Sequence, residues 1–298
     1  MTEAPSPIVD CQCLLGESPS WSTAEQALYW VDIKAHRLHC FRPATGERRQ
    51  WELPWLASSV APADDGRLVL ATAAGVGLFD PAAGAFEVIA ELDTDRPGNR
   101  PNEGKCDRHG RFWVGTMDDA EVAVSGRLYR FDPDRTVHCL VGDVGISNTL
   151  AWTADDRTLY FADTMASTIY AYEHDPDTGE VRNPRHFADT HGMPGGPDGS
   201  CIDADDFLWN CQWDGARIAR YAPDGRLDRV VPMPVPRPTS CCFGGPDLDT
   251  LYITSARIGL DDRALGAAPD SGSLFAFRPG VRGVSEVPFR TRQRGENA

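Results

Sequence analysis

The 298-residue sequence predicts an all-β fold, a six-bladed β-propeller, on three observations. One pattern recurs six times: an acidic or glycine turn, a strand opening on an apolar-aromatic pair, and a second strand that often ends in Phe/Tyr-x-Pro before another glycine turn. The step between units is nearly constant. No segment shows a sustained helical period with a cap.

With Leu28, Leu68, Phe112, Leu159, Leu208 and Leu251 as markers, the steps are 40, 44, 47, 49 and 43 residues. Propeller blades of four antiparallel strands repeat at about 40–50 residues. The first unit holds Leu28-Tyr29-Trp30-Val31-Asp32 and Leu38-His39-Cys40-Phe41-Arg42-Pro43 before Gly46. The second has Leu68-Val69-Leu70 and Gly77-Leu78-Phe79-Asp80-Pro81; the third, Phe112-Trp113-Val114 and Leu128-Tyr129-Arg130-Phe131-Asp132-Pro133. Leu159-Tyr160-Phe161 with Ile169-Tyr170-Ala171-Tyr172 forms the fourth, and Leu208-Trp209 with Ile218-Ala219-Arg220-Tyr221-Ala222-Pro223 the fifth. Leu251-Tyr252-Ile253-Thr254 and Leu274-Phe275-Ala276-Phe277-Arg278-Pro279 form the sixth. The runs are short, rich in aromatic and β-branched residues, and bounded by turn clusters, as strands are.

Closing the ring removes two open sheet edges. A strand from Ile8 to Cys13 is expected to complete the last blade beside C-terminal strands such as Ser285 to Phe289, making residues 1–298 one domain. The longest insertion, from Ile258 to Ser271, is expected to be a surface loop.

Composition excludes several classes. A formal charge of −15 argues against nucleic acid, because phosphate binding needs clustered Lys and Arg. No apolar run approaches the roughly 20 residues that span a bilayer. The N-terminal Met-Thr-Glu-Ala-Pro-Ser-Pro lacks the basic start and apolar stretch of a secretory signal, so a cytoplasmic protein is expected. The nine cysteines, with no CxxC pair, then read as small buried apolar residues, and Cys241-Cys242 as structural.

The markers start the second strand of each blade, so the innermost strand lies about ten residues earlier. Counting back 10–11 residues gives Glu17, Ser58, Asn102, Asn148, Asp198 and Ser240, all polar. Polar residues at one phase of every repeat converge on the propeller axis. Burying them unpaired is costly, and two carboxylates repel. A bound cation resolves both problems: Glu17, Asn148 and Asp198 offer only oxygen donors, suited to Ca²⁺, Mg²⁺ or Mn²⁺, with Fe²⁺ and Zn²⁺ also accepting carboxylates. Water and neighbouring hydroxyls in a polar channel are the other solution.

Four motifs resemble one family. They are Gly16-Glu17-Ser18-Pro19 with Trp21; Asn102-Glu103-Gly104-Lys105-Cys106-Asp107 with Gly115-Thr116-Met117; Ser147-Asn148-Thr149-Leu150-Ala151-Trp152; and Pro197-Asp198-Gly199-Ser200-Cys201-Ile202-Asp203. In this order and spacing they resemble the senescence marker protein-30/gluconolactonase/regucalcin group of six-bladed propeller lactonases. The resemblance implies that Glu17, Asn148 and Asp198 hold one divalent cation, and that Arg100 and Asn102 contact a small-molecule sugar lactone. A family acidic residue after Gly-Thr-Met touches substrate hydroxyls; here Asp118 takes that role, with Asp119 and Glu121 as alternatives. Glu103 stands where the family usually has Asp. Lys105 and Asp107 flank a turn and read as blade scaffold.

The implied reaction is hydrolysis of an aldonolactone, such as xylono-, arabinono- or gluconolactone, with Asp198 as ligand and general base. No GxSxG elbow is present, which disfavours a Ser-His-Asp hydrolase. The rival readings are a paraoxonase-like esterase and a non-catalytic Ca²⁺-binding or interaction propeller.

Overall fold

The computed structural model describes residues 4–291. Six antiparallel four-stranded sheets form the blades. Their innermost strands are Gly16–Ser22, Ala57–Pro62, Asn99–Cys106, Ser147–Trp152, Gly196–Ile202 and Pro238–Gly244. Each packs against the next, and the last returns to the first, so the ring closes around one axis. The six polar residues obtained by counting all lie on these strands.

The second strands explain the marker pairs. Ala27–Asp32 and Leu68–Thr72 are buried along their whole length, because each blade is covered on both faces by its neighbours. Their sequences are therefore continuous apolar runs. The outermost strand of the first blade, Glu47–Glu52, faces solvent and is charged.

Ring closure occurs at the sixth blade, where Ser6–Val9 pairs antiparallel with Leu274–Phe277. The expected partner, Ser285 to Phe289, is not a blade strand. Residues 282–290 instead cross the mouth opposite the N-terminal ends of the inner strands. Along this path Ala204 N donates to Arg282 O, Phe289 N to Pro62 O, and Arg290 N to Gly110 O. Glu286 sits between blades, accepting from Ser20 Oγ at 2.8 Å and pairing with Lys105 Nζ at 3.6 Å. The insertion after the sixth blade's second strand carries a short helix, Asp262–Ala267, capped by Asp261.

Seven of the nine cysteines are buried and all nine are free thiols; Cys139 is exposed and Cys11 half-buried, against expectation. Cys139 lies on the solvent-facing outer strand Val137–Val144, where neither face is fully covered.

Asp107 is scaffold, as its sequence position suggests. Its carboxylate accepts from Trp113 Nε1 at 2.9 Å and from Arg111 Nε, tying turn to blade. Asp203 repeats the device, six residues before Trp209, with Trp209 Nε1 at 2.8 Å and Arg220 Nη2 at 2.6 Å. Removing one partner of a buried ion pair leaves an uncompensated charge and costs about 3–5 kcal/mol. Asp203→Ala is therefore expected to lower unfolding stability by about that amount, read as a shifted urea midpoint. A shift below about 1 kcal/mol would contradict the assignment.

Candidate active site

The ladder register slips next to the axial residue in every inner strand: after Glu17, Ala57, Pro101, Asn148, Pro197 and Pro238. Such bulges re-aim side chains. In blades 1, 3, 4 and 5 the polar residue beside the bulge lines one axial cavity. Ser18 and Thr149, which follow Glu17 and Asn148, have positive φ of 52° and 53°. For a β-branched residue this costs of order 1–3 kcal/mol, and Thr149 Oγ1 offsets part of it by donating to Asp198 O at 2.6 Å. The motif glycines have a matching reason. A Cβ on Gly104 would lie 2.3 Å from Ser59 Oγ, and one on Gly199 2.1 Å from Ser240 Oγ. Neighbouring inner strands touch where these glycines sit.

One cavity of about 130 Å³ gathers Glu17, Arg100, Asn102, Asn148 and Asp198. Glu121 and Thr164 join them, with Leu15, Met117, Ile146 and Trp213 as an apolar wall. Side chains from blades 1, 3, 4 and 5 thus meet at one end of the axis. Ser58 and Ser240 do not line this cavity, although they share the phase.

The three acidic candidates, Asp118, Asp119 and Glu121, have separate positions. Asp118 turns away from the cavity and caps its own loop, accepting from Val122 N at 3.0 Å and Ala123 N at 2.9 Å. Asp119 accepts from Arg100 Nε at 2.7 Å and from Lys34 Nζ at 3.0 Å. Only Glu121 lines the cavity, brought there by a positive φ of 57°. Asp118 thus lies outside the cavity that Glu121 lines.

Arg100 Nη1 donates to Asn102 Oδ1 at 2.8 Å, and Asn102 Nδ2 donates to Ser147 O at 2.9 Å and Asn148 Oδ1 at 3.2 Å. Ser18 N donates to Glu17 Oε2 at 2.9 Å. Burial holds the Glu17 carboxyl well above the usual carboxylate range, and the neighbouring Glu103 adds to this. Asp198 is raised likewise, by burial and then by Glu17 and Glu103. Glu103 is a component the sequence reading missed. It is buried, neither oxygen has a hydrogen-bond partner, and burial pushes it up to about 7.

Among the described residues, no group of three His, Cys, Asp or Glu side chains is arranged to hold a metal. The chemistry of the site nevertheless fits a cation on oxygen donors. Three buried carboxylates repel one another, and the nearby cations, Arg100 shared with Asp119 and Lys105 shared with Glu286, offset only part of this. Glu103 keeps two orphaned oxygens in the same region. Uncompensated buried charge of this kind is expensive, and a dication removes the cost.

Residues 15–257 match the family described as SMP-30/Gluconolactonase/LRE-like region. The chain belongs to this family. The match begins two residues before Glu17 and spans all six inner strands, but leaves out Ser6–Val9 and the crossing segment 282–290. The chain is 37% identical to a 6-deoxy-6-sulfogluconolactonase of Pseudomonas putida, over 97% of this chain and 99% of that one. It is 35% identical to an L-arabinolactonase of Azospirillum brasilense, over 97% and 96%. A solved calcium-binding protein, regucalcin from Agrobacterium tumefaciens, superposes with a TM-score of 0.91 at 33% identity, covering 96% of this chain and 97% of that one. This SMP-30/gluconolactonase chain thus shares both sequence and propeller fold with proteins named for lactone hydrolysis and for calcium binding. No helix among the described residues is long and apolar enough to cross a membrane.

Proposed function

We propose that this chain hydrolyses a sugar lactone to the aldonic acid, in carbohydrate catabolism, with one divalent cation on Glu17, Asn148 and Asp198. The observation that carries this reading is the single cavity in which those three residues meet Arg100, Asn102 and Glu121. The lactonase names of relatives similar over nearly the whole chain support it. Oxygen-only donors suit Ca²⁺, Mg²⁺ or Mn²⁺.

A cation bound here supplies Lewis acidity to the lactone carbonyl. The chain's own residues do the rest. Asp198, raised by burial, accepts a proton from water as the water oxygen adds to the carbonyl carbon. Arg100 donates toward the oxyanion and ring hydroxyls, its guanidinium held in place by Asn102 Oδ1. The ring C–O bond then breaks, and the leaving oxygen takes the proton from Asp198, so one water is consumed and the Asp198 carboxylate is regenerated. Glu121, rather than Asp118, accepts from substrate hydroxyls. Leu15, Met117, Ile146 and Trp213 cover the less polar side of the ring.

The test is to strip the protein of metal and follow acid release from xylono-, arabinono-, galactono- and gluconolactone. Ca²⁺, Mg²⁺, Mn²⁺, Fe²⁺ or Zn²⁺ is restored one at a time. Turnover is expected only with a cation present. No metal-dependent turnover on any of the four would move the reading to a non-catalytic cation-binding propeller.

A further inference from the structure

The polar groups of the cavity form one chain of hydrogen bonds whose direction is forced from both ends. A guanidinium has no acceptor. Arg100, held by Asp119, must therefore meet Asn102 at Oδ1, at 2.8 Å. That leaves Asn102 Nδ2 to donate to Ser147 O and Asn148 Oδ1. At the other end Pro197 O, a carbonyl, can only accept, and Thr164 Oγ1 donates to it at 2.7 Å. The Thr164 hydroxyl has then spent its proton and can only accept, which it does from Asn148 Nδ2 at 2.8 Å. Asn148 thus sits between an amide donor on one side and a hydroxyl acceptor on the other. Only one of its two amide orientations satisfies both.

We propose that Thr164 is a positioning residue that locks the Asn148 amide with its carbonyl oxygen, not its NH₂, toward the cation position. This rests on the metal reading above. An amide oxygen is a ligand for a hard cation and an amide nitrogen is not, so an unlocked Asn148 presents the wrong atom part of the time. Thr164 is itself well fixed. Its backbone N donates to Ile146 O at 3.0 Å, just ahead of Ser147-Asn148, and Cγ2 packs over Gly196, where a Cβ would come within 3.0 Å. Because Pro197 precedes Asp198, the same hydroxyl joins the strand carrying Asn148 to the strand carrying Asp198.

The test compares Thr164→Val and Thr164→Ser with the unmodified chain and Glu17→Gln. Mn²⁺ and Ca²⁺ are titrated calorimetrically into metal-free protein, and thermal unfolding of the metal-free forms is recorded in parallel. Val keeps the shape and removes the hydroxyl; Ser keeps the hydroxyl. Loss of a residue that orients a metal ligand weakens affinity by about 10–100-fold. Thr164→Val is expected to show that loss while its metal-free form still unfolds cooperatively, and Thr164→Ser stays within about threefold of the unmodified chain. Unchanged affinity in Thr164→Val, or an equal loss in Thr164→Ser, would overturn the proposal. A drop in metal-free stability with affinity intact would also overturn it, marking a structural residue. Should Thr164→Val not fold, Thr164→Ala against Thr164→Ser supplies the same contrast. Failure of the unmodified chain to bind either cation, with Glu17→Gln indistinguishable from it, would instead sink the metal reading.

Discussion

Asp198→Asn is expected to lower kcat by about 10³-fold or more on whichever lactone is turned over. Removing a positioned general base costs about 10²–10⁴-fold. The substitution also takes one of two carboxylates from the cation's donor set, so the two losses compound. Asn is nearly isosteric, and the backbone around the position is fixed by contacts that do not involve the carboxylate. Asp198 O accepts from Thr149 Oγ1 and Asn210 Nδ2, and Pro197 O from Thr164 Oγ1. The variant should therefore fold. The checks are kcat at saturating cation and a calorimetric titration of the same sample. A rate within tenfold of the unmodified chain, measured with the cation demonstrably bound, would remove Asp198 as base.

The second large effect is the dependence of stability on pH and cation together. Burial holds Glu17 and Asp198 well above the usual carboxylate range, and Glu103 up to about 7 from an ordinary 4.5. In the unfolded chain the same groups ionise near pH 4. Between those values the folded state binds more protons than the unfolded state, so unfolding free energy falls as pH rises. The metal-free protein is thus expected to be less stable at pH 8 than at pH 5.5. For Glu103 alone the decline runs from about pH 4.5 to about 7, at up to roughly 1.4 kcal/mol per pH unit. A cation competes with those protons, so its stabilisation should grow over the same interval. Melting curves of loaded and stripped protein at both pH values measure this directly. An equal gap at both would contradict it. Glu17→Gln removes one of the repelling charges and should raise the pH 8 stability of the stripped protein while weakening the cation's effect.

The repeat was legible because each blade is specified locally. Marker pairs such as Leu28-Tyr29 and Phe112-Trp113 are apolar because both faces of a second strand are covered, and the turns are set by Gly and Asp at fixed offsets. Since every blade starts at the same phase, counting from those markers reached Glu17, Asn102, Asn148 and Asp198 without knowledge of any long-range contact. Arg100, and a substrate role for Asn102, came from the family resemblance, and the structure puts both residues in the same cavity.

The acidic run was different. Asp118, Asp119 and Glu121 are chemically alike, and nothing local distinguishes a loop cap from an arginine clamp or a cavity wall. The choice depends on loop dihedrals and on Lys34, which reaches Asp119 from another blade 85 residues away. Ser285 to Phe289 was misplaced for a related reason. Its apolar residues do not pair in a blade; the segment joins several blades at once across the far mouth, through Glu286 and Phe289. Glu103 and Thr164 were not singled out as site residues because burial and hydrogen-bond direction are properties of the closed ring.

Local patterning specifies the number of blades, the strand that faces the axis, and the oxygen-donor residues gathered there. These follow from periodicity, which each segment of chain carries alone. Contacts between blades set which acidic residue enters the cavity, how the Asn148 amide is turned, and what crosses the opposite mouth. Each of those depends on groups brought together from different blades, where a carbonyl or guanidinium distant in sequence leaves one hydrogen-bond direction open.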